Sequence, residues 1–205
     1  MRSKICGISD SKTLNYIIDH SYPSELIGFI VNYPKSKRFV EYNNLKKLLK
    51  INKKNSKYVA VLVKPEKEIL EKIKNLPFDY YQIYDCTPNQ IKKIKEKYNK
   101  KIIVAITINK KKDVINFKKY LNLAEIFLFD SKGYERSLSF DHSYLNQLPK
   151  KLKKMVAGNI QIEDLYKFKN SSFIIDVSGG CENEDGKKDI NKIDKFLNTV
   201  HNINS

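Results

Sequence analysis

What most constrains this chain is an alternation that never breaks. Short runs rich in Val, Ile, Tyr and Phe recur along it, each followed by a stretch whose apolar residues are spaced for a helix. That pattern points to βαβ units and a parallel sheet, because a parallel strand needs a crossover before the next can pair beside it. The strand-like runs fall at 3–8, 26–31, 58–63, 80–84, 102–108, 126–129, 154–157 and 173–177. Asp10 or Ser11 caps the first helical stretch, which runs to about Asp19, and 40–50 carries Leu45, Leu48 and Leu49 on one face. Pro65 starts a third with Ile69, Leu70 and Ile73, and Thr87-Pro88 caps and starts a fourth before Ile91 and Ile94. Val114, Phe117 and Leu121 mark a fifth, and Pro149 stops a short one at 143–148. The last two cover 161–168 and 190–200, the latter with Ile193, Phe196 and Leu197 on one stripe.

Eight such units predict an α/β protein, a single (β/α)8 TIM barrel filling residues 1–205, with a doubly wound open sheet as the alternative. At 41% hydrophobic content the chain can bury such a core. The strand ends that precede helices lie on one face of a barrel, and that face carries the active site. Cys6, followed by Gly7, closes strand one, and Asp130 closes strand six. Alone, the first reads as a core thiol and the second as a helix cap or solvated carboxylate. Three places apart around the ring, they would face each other across about 10–13 Å, room for a sugar-sized ligand. The turns Gly158-Asn159 and Ser178-Gly179-Gly180 offer backbone N–H groups to an anion.

The net charge of +16 invites a nucleic-acid reading, but the lysine runs (46–47, 92–93, 110–112, 150–151) are scattered over helices and connections. The expected partner is a small anionic molecule, with no nucleic acid and no membrane, for a monomer or homodimer. No apolar run reaches transmembrane length and no signal-peptide core precedes Cys6, so the expected location is the cytoplasm. Cys6, Cys86 and Cys181 are an odd number at wide spacings, which fits neither a disulfide framework nor a zinc pattern, and they read as free thiols. His20, His142 and His201 make no metal-ligand spacing, and no Gly-x-Ser-x-Gly elbow occurs.

Several motifs then follow in a particular order. Lys4-Ile5-Cys6-Gly7-Ile8 opens the chain, and the run from Gly28-Phe29-Ile30-Val31-Asn32-Tyr33-Pro34 through Arg38-Phe39-Val40 comes next. Residues 127–130, Phe140-Asp141, Ala157-Gly158-Asn159-Ile160, Asp176-Val177-Ser178-Gly179-Gly180, Glu182 and Gly186-Lys187-Lys188-Asp189 complete the series. Taken together they resemble the phosphoribosylanthranilate isomerase family of tryptophan biosynthesis, essentially from end to end. The resemblance implies an Amadori rearrangement of phosphoribosylanthranilate without cofactor or metal, with Cys6 as general base and Asp130 as general acid. It also implies Arg38 as the clamp for the anthranilate carboxylate, Gly158, Asn159, Ser178, Gly179 and Gly180 at the phosphate, and Gln82 and Asp176 as further substrate contacts. An ordinary thiol, with a pKa of about 8.5, is a few per cent thiolate at neutral pH, and positive surroundings are expected to raise that share. A free Asp titrates near about 3.9, so Asp130 needs desolvation to keep a proton.

The sequence departs from the family pattern in three places. The loop at 131–142 has one glycine and no tryptophan where the family is glycine-rich, so Arg136, with Ser137 or Lys132, is expected to replace lost phosphate donors. Tyr84-Asp85 follows Gln82 where the family has His-Gly shortly after its Gln, and Gly179 stands where a second serine is common. The alternatives are a barrel isomerase for a different sugar phosphate and a non-enzymatic basic nucleic-acid-binding protein.

Overall fold

Strands buried on both faces need apolar residues at odd and even positions alike, and most of this chain's strand-like runs supply them. The computed structural model describes residues 1–131 and 138–205. Its strands are β1 (Arg2–Cys6), β2 (Leu26–Ile30), β3 (Lys57–Val63), β4 (Tyr80–Tyr84), β5 (Lys101–Ile108), β6 (Ile126–Ser131), β7 (Lys154–Val156) and β8 (Ile174–Val177). All pair in parallel and in chain order, and β8 returns to β1, so the sheet is a closed barrel rather than an open one. Ile5, Ile27, Phe29, Tyr58, Ile83, Val104, Phe127 and Phe129 belong to the layer shared with the helices. Leu26, Val59, Val61, Ile103, Ile126, Leu128, Met155 and Ile174 fill the inside.

A capping side chain satisfies the first free N–H groups of the helices that start at Ser11, Pro88 and Ile190, whereas those that start at Tyr42 and Lys67 do without one. Asp10 accepts from Thr13 N at 2.8 Å ahead of α1 (Ser11–Asp19), which buries Leu14, Ile17 and Ile18. Next come α2 (Tyr42–Leu48) and α3 (Lys67–Ile73). Glu66 holds the cap position of α3, so Pro65 lies just outside that helix instead of starting it. Thr87 and Gln90 form a reciprocal capping box on α4 (Pro88–Tyr98), with Pro88 in its first turn. The last helix, α5 (Ile190–Asn204), runs past residue 200 and adds Val200 and Ile203 to its buried stripe.

Three of the expected helices are wound more tightly. Lys111–Tyr120, His142–Gln147 and Ile162–Phe168 are 3₁₀ segments with three residues per turn. That period aligns Val114, Phe117 and Tyr120, and likewise Ile162, Leu165 and Phe168. Leu121, expected on the buried face at helical spacing, is rotated out and is 50% exposed. Among the described residues no helix is long and apolar enough to cross a membrane.

Phe29 anchors the sheet-to-helix layer, fully buried and edge-on to Tyr58 at 5.2 Å and Phe78 at 6.2 Å between ring centroids. Phe29→Ala is expected to lower unfolding free energy by about 3–5 kcal/mol, read from the midpoint of a urea transition.

Candidate active site

Side chains two apart on a strand share a face, and this periodicity assembles the site. Lys4 and Cys6 on β1, Gln82 and Tyr84 on β4, Leu128 and Asp130 on β6, and Ile174 and Asp176 on β8 each form such a pair. One cavity at the ends of the strands is lined by Cys6, Arg38, Tyr84, Asp130 and Asp176. Gly158, Asn159, Ser178, Gly179 and Gly180 line it as well, beside Ile30, Tyr33, Val61, Val63, Ala157 and Ile160. Gln82 is not on its wall. It is buried and reaches the cavity through Tyr84, donating from Nε2 to the phenol oxygen at 3.2 Å. Arg136, Lys132 and Ser137 lie outside the described residues.

Lys4 has no exposed surface, and its Nζ donates to both carboxylate oxygens of Asp176 at 2.9 Å. The two are cross-strand partners where β8 closes on β1. Burial alone would pull the Lys4 ammonium down, but Asp176 and Cys6 hold it above its ordinary value. The thiol and the ammonium crowd over Gly28, where a Cβ would meet Cys6 Sγ at 2.9 Å and Lys4 Nζ at 3.1 Å. A side chain at that position would close the gap between them. The charge of Lys4 does not win, however. Burial pushes the Cys6 thiol up, Lys4 only partly draws it back, and Asp176 adds to the rise. The expectation of an enlarged thiolate share is therefore corrected, since desolvation outweighs the neighbouring cation.

Asp130 opens partly onto the cavity but is ringed by protein. Desolvation pushes its carboxyl up to about 6, against the opposing Tyr84 hydrogen bond. Tyr84 Oη donates to Asp130 Oδ2 at 2.9 Å, and Ser131 N donates to Oδ1 at 2.8 Å.

Arg38 spends one edge of its fork inside the protein. Its Nε and Nη2 donate to Glu182 at 2.5 and 2.8 Å, so a substrate carboxylate can meet only the remaining Nη1/Nη2 edge. Lys188 Nζ also reaches Glu182, at 2.7 Å, and Ser178 O at 2.9 Å. The Ser178 hydroxyl donates to Cys6 O at 3.0 Å, which leaves its backbone N–H as its donor for an anion. In the same turn a Cβ on Gly180 would stand 2.5 Å from Ile160 O, so the turns after β7 and β8 can approach this closely only with glycine there.

A sequence model of the family "N-(5'phosphoribosyl)anthranilate (PRA) isomerase" matches residues 3–199. This chain belongs to the PRA isomerase family. An N-(5'-phosphoribosyl)anthranilate isomerase of Rhizobium rhizogenes is 29% identical over 96% of this chain and 92% of its own length. The crystal structure of the phosphoribosyl anthranilate isomerase from Thermotoga maritima superposes with a TM-score of 0.86 at 23% identity, over 98% of this chain and 99% of that one. A phosphoribosyl anthranilate isomerase solved with reduced 1-(o-carboxyphenylamino)-1-deoxyribulose 5-phosphate gives 0.84 at 23% identity, over 98% and 99%.

Within this candidate site of a PRA isomerase family member, Lys4, Glu182 and Lys188 enter the sequence reasoning only as parts of motifs and Tyr84 only as a departure, and that reasoning gives none of them a role. Counting back two from Cys6 and forward two from Gln82 would have found Lys4 and Tyr84. Nothing local marks Glu182 as the shared partner of Arg38 and Lys188. Among the described residues no group of three His, Cys, Asp or Glu could hold a metal ion.

A carboxyl raised to about 6 from an ordinary 3.8 destabilises the fold once the pH exceeds both values, because the unfolded chain ionises more easily. Asp130→Asn should therefore stabilise the protein by on the order of 1–3 kcal/mol above pH 6. The gain should shrink as the pH falls through 6 and vanish below about 4, as thermal melts at pH 8 and pH 4 would show.

Proposed function

We propose that this chain converts N-(5'-phosphoribosyl)anthranilate into 1-(2-carboxyphenylamino)-1-deoxyribulose 5-phosphate, with Asp130 as general acid and Cys6 as general base. The observation that carries the reading is the opening of that thiol and that carboxyl onto one cavity, in a chain of this family. Asp130, retaining a proton more readily than an ordinary aspartate, delivers it to the furanose oxygen as the C1–O bond breaks. The amine lone pair forms the C1=N bond of a protonated Schiff base. Cys6 then removes the C2 proton, the C2–H pair becomes the C1=C2 bond of an enolamine, and the iminium pair returns to nitrogen. Tautomerisation carries the enol proton to C1 and leaves the ketone. The proton gained by Cys6 passes back to Asp130 through solvent, so the reaction is a net isomerisation.

Lys4 is the cation against which the thiolate forms. Arg38 takes the anthranilate carboxylate on its open edge, and the backbone of the Gly158-Asn159 and Ser178-Gly179-Gly180 turns takes the phosphate. Asp176 reaches the cavity wall while its carboxylate serves Lys4. Gln82 acts from beneath through Tyr84. A net charge of +16 draws in an anionic substrate. We place the enzyme in the cytoplasm, where its three cysteines stay reduced, as a monomer or homodimer.

Cys6→Ala, Cys6→Ser and Asp130→Asn are each expected to cut turnover by about 10²–10⁴-fold with the fold intact, followed by loss of phosphoribosylanthranilate fluorescence. Near-normal turnover in a Cys6 variant would remove the thiol from the mechanism. Arg38→Lys should raise KM more than it lowers kcat, since an ammonium cannot bridge Glu182 and a second carboxylate in one plane.

A further inference from the structure

We infer that Tyr84 is a positioning residue for Asp130, its phenol orienting the carboxyl for proton transfer and stabilising the carboxylate left once the proton has gone. The inference rests on the isomerase reading for its chemistry and on geometry for its placement.

The two oxygens of Asp130 are held from different sides. Ser131 N donates to Oδ1 at 2.8 Å and Tyr84 Oη to Oδ2 at 2.9 Å, which fixes the plane of the carboxyl group. Gln82 completes the arrangement from below by donating to the phenol oxygen at 3.2 Å. A phenol that accepts a hydrogen bond is a better donor, so the amide strengthens what Tyr84 gives to Asp130. Tyr84 is only 7% exposed, and water cannot readily take over its role.

Among the described residues, the other charged and titratable groups facing Asp130 do not duplicate this contact. From β1 come Lys4, whose ammonium is already bonded to Asp176, and Cys6, whose thiol burial pushes up. From β8 comes Asp176, whose charge resists ionisation of Asp130. The flanking strands bring Thr107 of β5, the register partner of Asp130, and Ala157 at the end of β7, neither of which titrates near neutrality. Of the influences from described residues that favour the ionised form of Asp130, the Tyr84 hydrogen bond is the largest. A hydrogen bond that is stronger to the carboxylate than to the protonated acid acts where charge develops, which is what a general acid needs from its neighbour.

The test is to follow the Asp130 carboxyl carbon by ¹³C NMR as the pH is varied, with Asp130→Asn identifying the resonance. In Tyr84→Phe the midpoint should rise by about one to two pH units. The limb of the kcat/KM profile near pH 6 should move with it while KM stays within about twofold, a pattern that loss of packing alone would not produce. Replacing Tyr84 with difluorotyrosine keeps the ring in place and makes the phenol a stronger donor, so the midpoint should fall. A midpoint unmoved by the fluorinated residue, or by a folded Tyr84→Phe, overturns the inference. Absence of phosphoribosylanthranilate turnover in the wild type would overturn the isomerase reading, and the carboxyl titration would still decide Tyr84.

Discussion

A lysine ammonium sealed from water and an aspartate carboxylate at the floor of the cavity meet where the last strand of the barrel closes on the first. Lys4 and Asp176 are register partners of β1 and β8, and two hydrogen bonds of 2.9 Å join them. Removing one member of such a pair leaves an uncompensated charge, at a loss of about 3–5 kcal/mol. A pair of apolar residues could seal the seam as well, so stability alone does not explain the ions. Their position does, because the ammonium lies beside Cys6, and Gly28 leaves the space that brings the two together.

The cavity therefore contains two proton-transfer groups shaped by one cause, desolvation, working against different partners. Burial raises both the Cys6 thiol and the Asp130 carboxyl. Lys4 moderates the first, and Tyr84 moderates the second. In each case the partner stabilises the anion: the thiolate that takes a proton and the carboxylate that remains after giving one. A second network, running from Arg38 through Glu182 and Lys188 to Ser178, ties the loop after β2 to the turn after β8. The Ser178 hydroxyl joins that network to the backbone of Cys6. Substrate-binding groups and the thiol are thus positioned by one set of bonds.

Part of what the structure shows was written in residue parity and spacing. Lys4 and Tyr84 are two places from Cys6 and Gln82, on the same strand faces. The tight winding after β5 and β7 was not legible in the same way. Leu14, Ile17 and Ile18 show the i, i+3, i+4 spacing of an α-helix, as do Ile193, Phe196 and Leu197. Ile162, Leu165 and Phe168 repeat every three residues, as do Val114, Phe117 and Tyr120, but Tyr166 and Leu121 stand at i+4 as well, and only the structure shows these two exposed. Leu121 misled because it fits a period of 3.6, whereas the chain there turns every three residues.

The sequence by itself determined the eight strand–helix units, their order, and the strand ends that carry a thiol and a carboxyl. These are properties of neighbouring residues, set by side-chain periodicity, caps and turns, and they need no knowledge of what lies across the barrel. Only the tertiary structure decided the electrostatics of those groups. How far a thiol is desolvated, which carboxylate neutralises the lysine beside it, and which edge of an arginine stays open depend on residues separated by more than a hundred positions. Lys4 and Asp176, and Arg38 and Glu182, are brought together when the barrel is closed, because strand and loop ends far apart in the chain then share one rim.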